Sequence, residues 1–104
     1  YRKLFVQSRT LDDILKNEKI DPKNIGLIKI DAEGHEREIL KGAKNILKSV
    51  GLIQIEYSIY NFLNDWFISS IYKEFKENFH IGILLPNSIE IIDKLMLIKN
   101  FIFN

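Results

Sequence analysis

Hydrophobic residues recur along the chain at strand and helix spacings, and they predict alternating strands and helices. A continuous apolar run over residues 25–30, broken by Lys29, is typical of a parallel strand buried on both faces. A similar run over residues 52–57 predicts a second strand. Between the runs lies the stripe of one long amphipathic helix, formed by Ile39, Leu40, Ala43, Ile46, Leu47 and Val50. This strand–helix–strand order predicts two parallel neighbours.

The segments around this helix carry their own local signals. Leu4 and Val6 indicate a short strand that leads into a first helix, with Thr10 as its N-cap and Asp13 at the third helical position. Gly42 lies inside the long helix, where glycine costs about 1 kcal/mol relative to alanine. We therefore expect a kink at Gly42, or close packing of the helix against a strand.

The C-terminal part predicts one more helix and a hairpin. Helical spacing indicates a helix that contains Ile68, Ile71, Tyr72, Phe75 and Phe79. Residues 81–85, a turn at 86–88 and residues 89–92 form the pattern of a β-hairpin. Residues 95–103 are apolar enough for a last strand.

These elements predict an α/β fold with a mostly parallel sheet, an antiparallel C-terminal strand or hairpin, and helices on both faces. The 104 residues allow one core, so we expect residues 1–104 to form a single, partial domain. The chain opens on Tyr1-Arg2-Lys3, without Met or a signal-peptide pattern. We therefore expect a fragment of a longer, cytoplasmic protein.

Composition removes several classes of function. Fifteen basic and fourteen acidic residues give a net charge of +1, too weak a field to favour nucleic acid or an anionic membrane. No cysteine is present, which excludes disulfides, zinc–thiolate sites and cysteine nucleophiles. A G-x-G-x-x-G turn or a P-loop is also excluded, because the glycines lie far apart, at Gly26, Gly34, Gly42, Gly51 and Gly82.

Candidate chemistry lies where the two predicted strands end. Asp31 ends the first strand, Glu33 and His35 occupy the turn that follows, and Glu56 ends the second strand. Ligands of open α/β sheets bind outside the carboxyl ends of the strands. Three carboxylates and one imidazole are therefore predicted to converge at one edge of the sheet.

Structural explanations compete with this functional one. Glu33 and Glu36 both lie where negative charge stabilises a helix N-terminus, by about 0.3–1 kcal/mol each. Gly34 fits a backbone requirement of the turn, and a histidine such as His35 is common at protein surfaces. Asp31 is harder to explain in this way, because a carboxylate at the end of a buried strand needs a partner.

Four blocks of the sequence resemble the C-terminal half of FkbM-family methyltransferases. They comprise residues 10–13, 27–36, 39–43 and 54–56, and the resemblance extends over most of residues 4–62. It implies a Rossmann-like class I fold and an S-adenosylmethionine-dependent O-methyltransferase that acts on a hydroxyl of a sugar or another small molecule. The glycine-rich turn and the acidic residue with which that family binds its cofactor precede these blocks. The resemblance therefore implies that the chain carries the edge of the sheet that faces the substrate and lacks most of the cofactor-binding segment.

The resemblance also suggests roles for the candidate residues. It places Asp31 at the junction of cofactor and substrate, whereas the general base stays open among Glu33, His35 and Glu56. The acidic cluster can instead hold a divalent cation through oxygen ligands. Because neighbouring carboxylates repel one another, we expect either a raised pKa or a bound cation.

A different class of function stays open for the chain by itself. A non-catalytic remnant or interaction domain is the alternative to an enzyme, because the first strand would keep an open edge for pairing. The expected partners are thus a small-molecule or glycan hydroxyl acceptor and, at that edge, the missing half or another chain. We expect neither nucleic acid nor a membrane as a partner.

Overall fold

The computed structural model describes residues 1–92, so the predicted strand over residues 95–103 lies outside the described residues. The chain divides into two compact units, Tyr1–Asn64 and Asp65–Asn104. Each unit is described separately.

The first unit contains a parallel pair of strands with short helices before, between and after them. Its elements are α1 (Leu11–Asn17), a 3-10 helix (Pro22–Asn24), β1 (Leu27–Ile30), α2 (Glu36–Lys41), a 3-10 helix (Ile46–Lys48), β2 (Leu52–Ile55) and α3 (Ile59–Leu63). The parallel register runs from the Leu27–Leu52 pair to the Ile30–Ile55 pair. The predicted strand–helix–strand unit is therefore confirmed.

The core of this unit is built largely from the predicted helical stripe. Buried Leu15, Ala43 and Ile46 form its centre. The helix itself is shorter than predicted, because α2 ends at Lys41 and Gly42 is its C-cap. The close approach at Gly42 is to Thr10 and not to a strand, since an added Cβ would lie 3.0 Å from the Thr10 Cβ.

The start of α1 explains why the chain turns at this point. The Thr10 hydroxyl accepts a hydrogen bond from the Asp13 amide at 3.1 Å, which confirms the predicted N-cap. The Asp12 carboxylate accepts hydrogen bonds from the backbone amides of Asn45 and Ile46, at 2.9 and 3.3 Å. Asp12 thus connects α1 to the segment after α2. Its carboxylate also satisfies two backbone amides at the start of the 3-10 helix Ile46–Lys48.

Two predictions about the strands are wrong. Leu4 and Val6 are exposed and form no strand, because none of the residues in 1–92 pairs with them. Strand β1 is not buried on both faces, since Leu27 is 52% exposed and only Ile30 is buried. Within the described part of the chain its sheet has two strands, and the first residue of each, Leu27 and Leu52, is exposed.

The second unit contains one helix and a hairpin. Helix α4 (Ile68–Phe75) precedes β3 (Gly82–Leu85) and β4 (Ser88–Ile91), which pair antiparallel up to Leu85–Ser88. Phe79 lies beyond the helix, and its ring packs edge-to-face on Phe75 at 6.2 Å. Helix and hairpin are confirmed, so a parallel pair plus an antiparallel hairpin places the chain in the α/β class.

Across residues 1–92, no helix combines the length and the apolar character that crossing a bilayer requires.

Candidate functional site

The parallel register brings Asp31 and Glu56 side by side. Each residue follows the last paired position of its strand, where Ile30 lies opposite Ile55. The ladder continues one step further, because the Glu56 amide donates a hydrogen bond to the Ile30 carbonyl at 2.9 Å. The predicted convergence at the carboxyl ends of the strands therefore holds for this pair.

The neighbouring Asp31 carboxyl group shifts the pKa of Glu56. Hydrogen bonding with Asp31 and repulsion by its charge raise the pKa of Glu56 above the ordinary range of glutamate. Lys29 opposes this shift, whereas the charge of Glu33 adds to it. A raised pKa was one of the two expected outcomes of carboxylate crowding, and it is confirmed at Glu56.

The turn between β1 and α2 has an unusual backbone. Glu33 and Gly34 both have positive φ angles, of 50° and 98°. A Cβ on Gly34 would lie 2.7 Å from the Tyr60 Cβ and 2.9 Å from the Asn64 Nδ2. The predicted backbone requirement at Gly34 is confirmed, and close packing against α3 adds a second reason for glycine.

Glu36 holds this turn from inside. Its side chain is only 1% exposed, and its carboxylate accepts hydrogen bonds from the backbone amides of Ala32 and Gly34 at 2.7 and 3.0 Å. Asn61 donates a third hydrogen bond through Nδ2. Burial by itself raises the pKa of Glu36, but these hydrogen bonds and one with its own amide outweigh burial and lower the pKa. The suggested role at the exposed end of a helix is therefore incomplete, because Glu36 is a buried, ionised anchor.

Asn61 is a site residue that the sequence reasoning missed. Its Oδ1 accepts hydrogen bonds from the amide and the hydroxyl of Ser58, at 2.8 and 3.3 Å, in a capping box at the start of α3. The third-position spacing from Ser58 was a readable signal for this cap. Asn64 adds a second link to the turn, because its Nδ2 donates to the Gly34 carbonyl at 3.0 Å.

The two other predicted candidates, Glu33 and His35, are both exposed. Glu33 is exposed, and its charge reaches Glu56. His35 is an exposed N-cap of α2 whose side chain makes no capping hydrogen bond, so its role as a base stays a prediction. Tyr57 follows Glu56, and burial raises the pKa of its hydroxyl, which keeps that hydroxyl a hydrogen-bond donor.

A cation site is not supported by the arrangement of these side chains. Among residues 1–92, no group of three or more histidine and carboxylate side chains is placed to hold a metal ion.

Comparison with known proteins identifies a family to which this sequence is similar. A family model described as "Methyltransferase FkbM domain" matches residues 2–101. The hexuronic acid methyltransferase AglP of Haloferax volcanii is 38% identical over 45 residues. That match covers 43% of this chain and 18% of AglP, so the chain spans a small part of its relative. No solved structure matches the chain significantly.

Proposed function

Because this chain belongs to the FkbM methyltransferase domain family, we propose that its full-length protein transfers a methyl group from S-adenosylmethionine to a hydroxyl oxygen. The observation that carries this proposal is the carboxyl pair Asp31 and Glu56, placed side by side where the strands of an α/β sheet end. We further propose that β1 and β2 are two strands of a Rossmann-like class I sheet.

The residues of this chain fit one part of the methyl donor. S-adenosylmethionine supplies a methyl group on a positively charged sulfur, and it also carries an ammonium group. The Asp31 carboxylate offers the opposite charge for such a cation, in line with the role that the family resemblance implies. The chain contains no glycine-rich turn for the rest of the donor, so we place that part of the binding site outside these residues.

Glu56 is the proposed general base. In the proposed transfer, the acceptor oxygen would bond to the methyl carbon as the carbon–sulfur bond of the donor breaks. The sulfur would leave as a neutral thioether, and a nearby carboxylate would take the hydroxyl proton. A carboxyl group with a raised pKa accepts this proton more readily than an ordinary one. Glu33 and His35 are the second and third candidates for the same role.

The proposed acceptor is a hydroxyl of a sugar or of another small polar molecule. The name of AglP assigns hexuronic acid to that relative. For this chain, the acidic edge formed by Asp31, Glu33 and Glu56 favours a neutral hydroxylated acceptor over an anionic one, because like charges repel.

Calorimetric titration of the full-length protein with S-adenosylmethionine tests donor binding, and transfer of a labelled methyl group to neutral and acidic sugars tests the reaction. Glu56→Gln should lower kcat by roughly 10²–10⁴-fold, because it removes the base. Glu18→Gln, at the exposed C-cap of α1, is the matched control and should behave like the wild type. Absence of donor binding, or full activity of Glu56→Gln, would contradict the proposal.

A second candidate function is an interaction module that pairs through an open strand edge. In the described part of the chain, β1 and β2 form a sheet of two strands, and Leu27 and Leu52 are exposed. Sedimentation of the 104-residue chain tests this function. A monomer that associates with neither the rest of the protein nor another copy would argue against it.

A further inference from the structure

Two polar side chains lie in the interior of the first unit, and neither touches the proposed reaction. Glu36 is 1% exposed and Asn61 is 0% exposed, and both belong to the largest fully buried side chains of the described residues. Polar groups are buried at a cost that hydrogen bonds must offset. Their partners therefore indicate what the pair is for.

Glu36 connects to the segment that follows Asp31. Its carboxylate accepts hydrogen bonds from the amides of Ala32, the residue directly after Asp31, and of Gly34. These two amides belong to a turn with positive φ at Glu33 and Gly34, a conformation that needs support from its surroundings.

Asn61 connects to the segment that follows Glu56. Its Oδ1 holds the amide and hydroxyl of Ser58, which lies two positions after Glu56. Its Nδ2 donates to the carboxylate of Glu36. One continuous chain of hydrogen bonds thus runs from the turn after β1, through two buried side chains, to the segment after β2.

We propose that Glu36 and Asn61 are positioning residues that set the separation between the Asp31 and Glu56 carboxyl groups. Asn64 assists them by donating to the Gly34 carbonyl from the end of α3. The catalytic consequence of this device rests on the proposed methyl transfer, whereas its structural consequence does not. Reacting groups displaced by about 1 Å can lose 10²-fold in rate.

The chemistry of the pair requires an acceptor at position 36 and a donor at position 61. A glutamine at position 36 would keep one acceptor oxygen and turn an amide donor toward other donors. An aspartate at position 61 would face the Glu36 carboxylate with a second negative charge. Combining the two changes restores a donor and an acceptor across the contact, although the Gly34 amide then lacks its carboxylate partner.

The first test uses substitutions that leave the net charge unchanged, made in the full-length protein. Asn61→Ala should lower kcat by roughly 10–100-fold with a much smaller change in KM for S-adenosylmethionine, because alignment is lost while donor binding persists. Asn64→Ala should act in the same direction and more weakly. Asn17→Ala, at the exposed end of α1, is the matched control and should leave both constants unchanged.

The second readout does not depend on catalysis. NMR titration of the Glu56 carboxyl carbon reports its distance from Asp31, alongside the charges of Lys29 and Glu33 that also face it. In Asn61→Ala the pKa of Glu56 should fall toward its ordinary value, because the two carboxyl groups separate. A protein that transfers no methyl group yet shows this fall would refute the proposed function and support the positioning role.

The third test is a side-chain exchange. Glu36→Gln and Asn61→Asp should each lower kcat more than the double variant does, since only the double variant restores a matched contact. Circular dichroism identifies the variants that fold, and Asn64→Ala and the double variant decide the matter should Asn61→Ala not fold. Folded Asn61→Ala or Asn64→Ala proteins with wild-type kcat and wild-type titration of Glu56 would overturn the proposal, as would a double variant no better than the single ones.

Discussion

The parallel pair β1–β2 and the hairpin β3–β4 are equally short, but they place side chains together in different ways. In the parallel pair, both carboxyl ends lie at one edge, so Asp31 meets Glu56 across 25 positions of sequence. In the hairpin, the end of β3 lies beside the start of β4, so Leu85 pairs with Ser88. Of these two strand pairs, only the parallel one brings together residues that are far apart in the sequence.

The two regions also differ in burial, which is greater around the parallel pair than in the hairpin. The segments after β1 and β2 are anchored by the buried side chains of Glu36 and Asn61. Every residue of β4 is exposed, and β3 has one half-buried residue, Ile83. A chemical site needs fixed geometry, and buried polar partners supply it for the parallel pair.

The two regions should differ most in the free energy of unfolding that is lost when an isoleucine is truncated. Ile46→Ala removes a side chain that is 1% exposed in the core of the first unit, and it should lower the free energy of unfolding by about 2–5 kcal/mol. Ile89→Ala removes the same atoms from β4, where the side chain is 61% exposed, and should change stability by about 0.5 kcal/mol or less.

Urea unfolding, followed by circular dichroism, measures both isoleucine variants in the same host. If both variants lost the same free energy of unfolding, the hairpin would have a packed face like that of the first unit. The difference in burial between the two regions would then be wrong.

The turn after β1 gives the next largest expected effect. Gly34→Ala forces a side chain into a φ of 98° and against Tyr60, which should cost about 1–3 kcal/mol, with the contact favouring the upper end. Gly26→Ala is the matched control, because nothing lies within 4 Å of its added Cβ. Thermal melting compares the two variants, and a Gly34→Ala protein as stable as Gly26→Ala would contradict the strain argued for this turn.

Much of the first unit follows from the sequence because its signals are local. Apolar runs locate β1 and β2, parallel pairing then puts Asp31 beside Glu56, and the Thr10 cap follows from its spacing to Asp13. Each of these inferences depends on neighbours in sequence or on a general rule of sheet topology. The same applies to the hairpin, whose turn residues separate two apolar runs.

The interior of the site does not follow from such signals. Hydrophobic periodicity extended the helix past Gly42, because the buried stripe continues after the helix has ended at Lys41. Glu36 has the pattern of an exposed helix-start acid, and its burial depends on backbone amides that a sequence pattern does not register. Long-range contacts, such as Asn61 with Glu36 and Asp12 with Asn45, decide these details.

The smallest expected effect concerns the opposite pH dependences of two carboxyl groups. The pKa of Glu56 is raised in the folded protein, so above the ordinary glutamate pKa of about 4.3 the unfolded chain releases this proton first, and folding is disfavoured as pH rises. Glu56→Gln should therefore give a small gain in stability at pH 7 that disappears at low pH.

The pKa of Glu36 is lowered, so its stabilisation is present at pH 7 and is lost as pH falls through its folded-state pKa. Glu36→Gln should therefore be most destabilising at pH 7. Urea unfolding at several pH values measures both, with exposed Glu18→Gln as the control for removal of a charge. Glu56→Gln and Glu36→Gln shifting stability with the same sign at pH 7 would show that the repelled pair and the anchored carboxylate do not differ as argued.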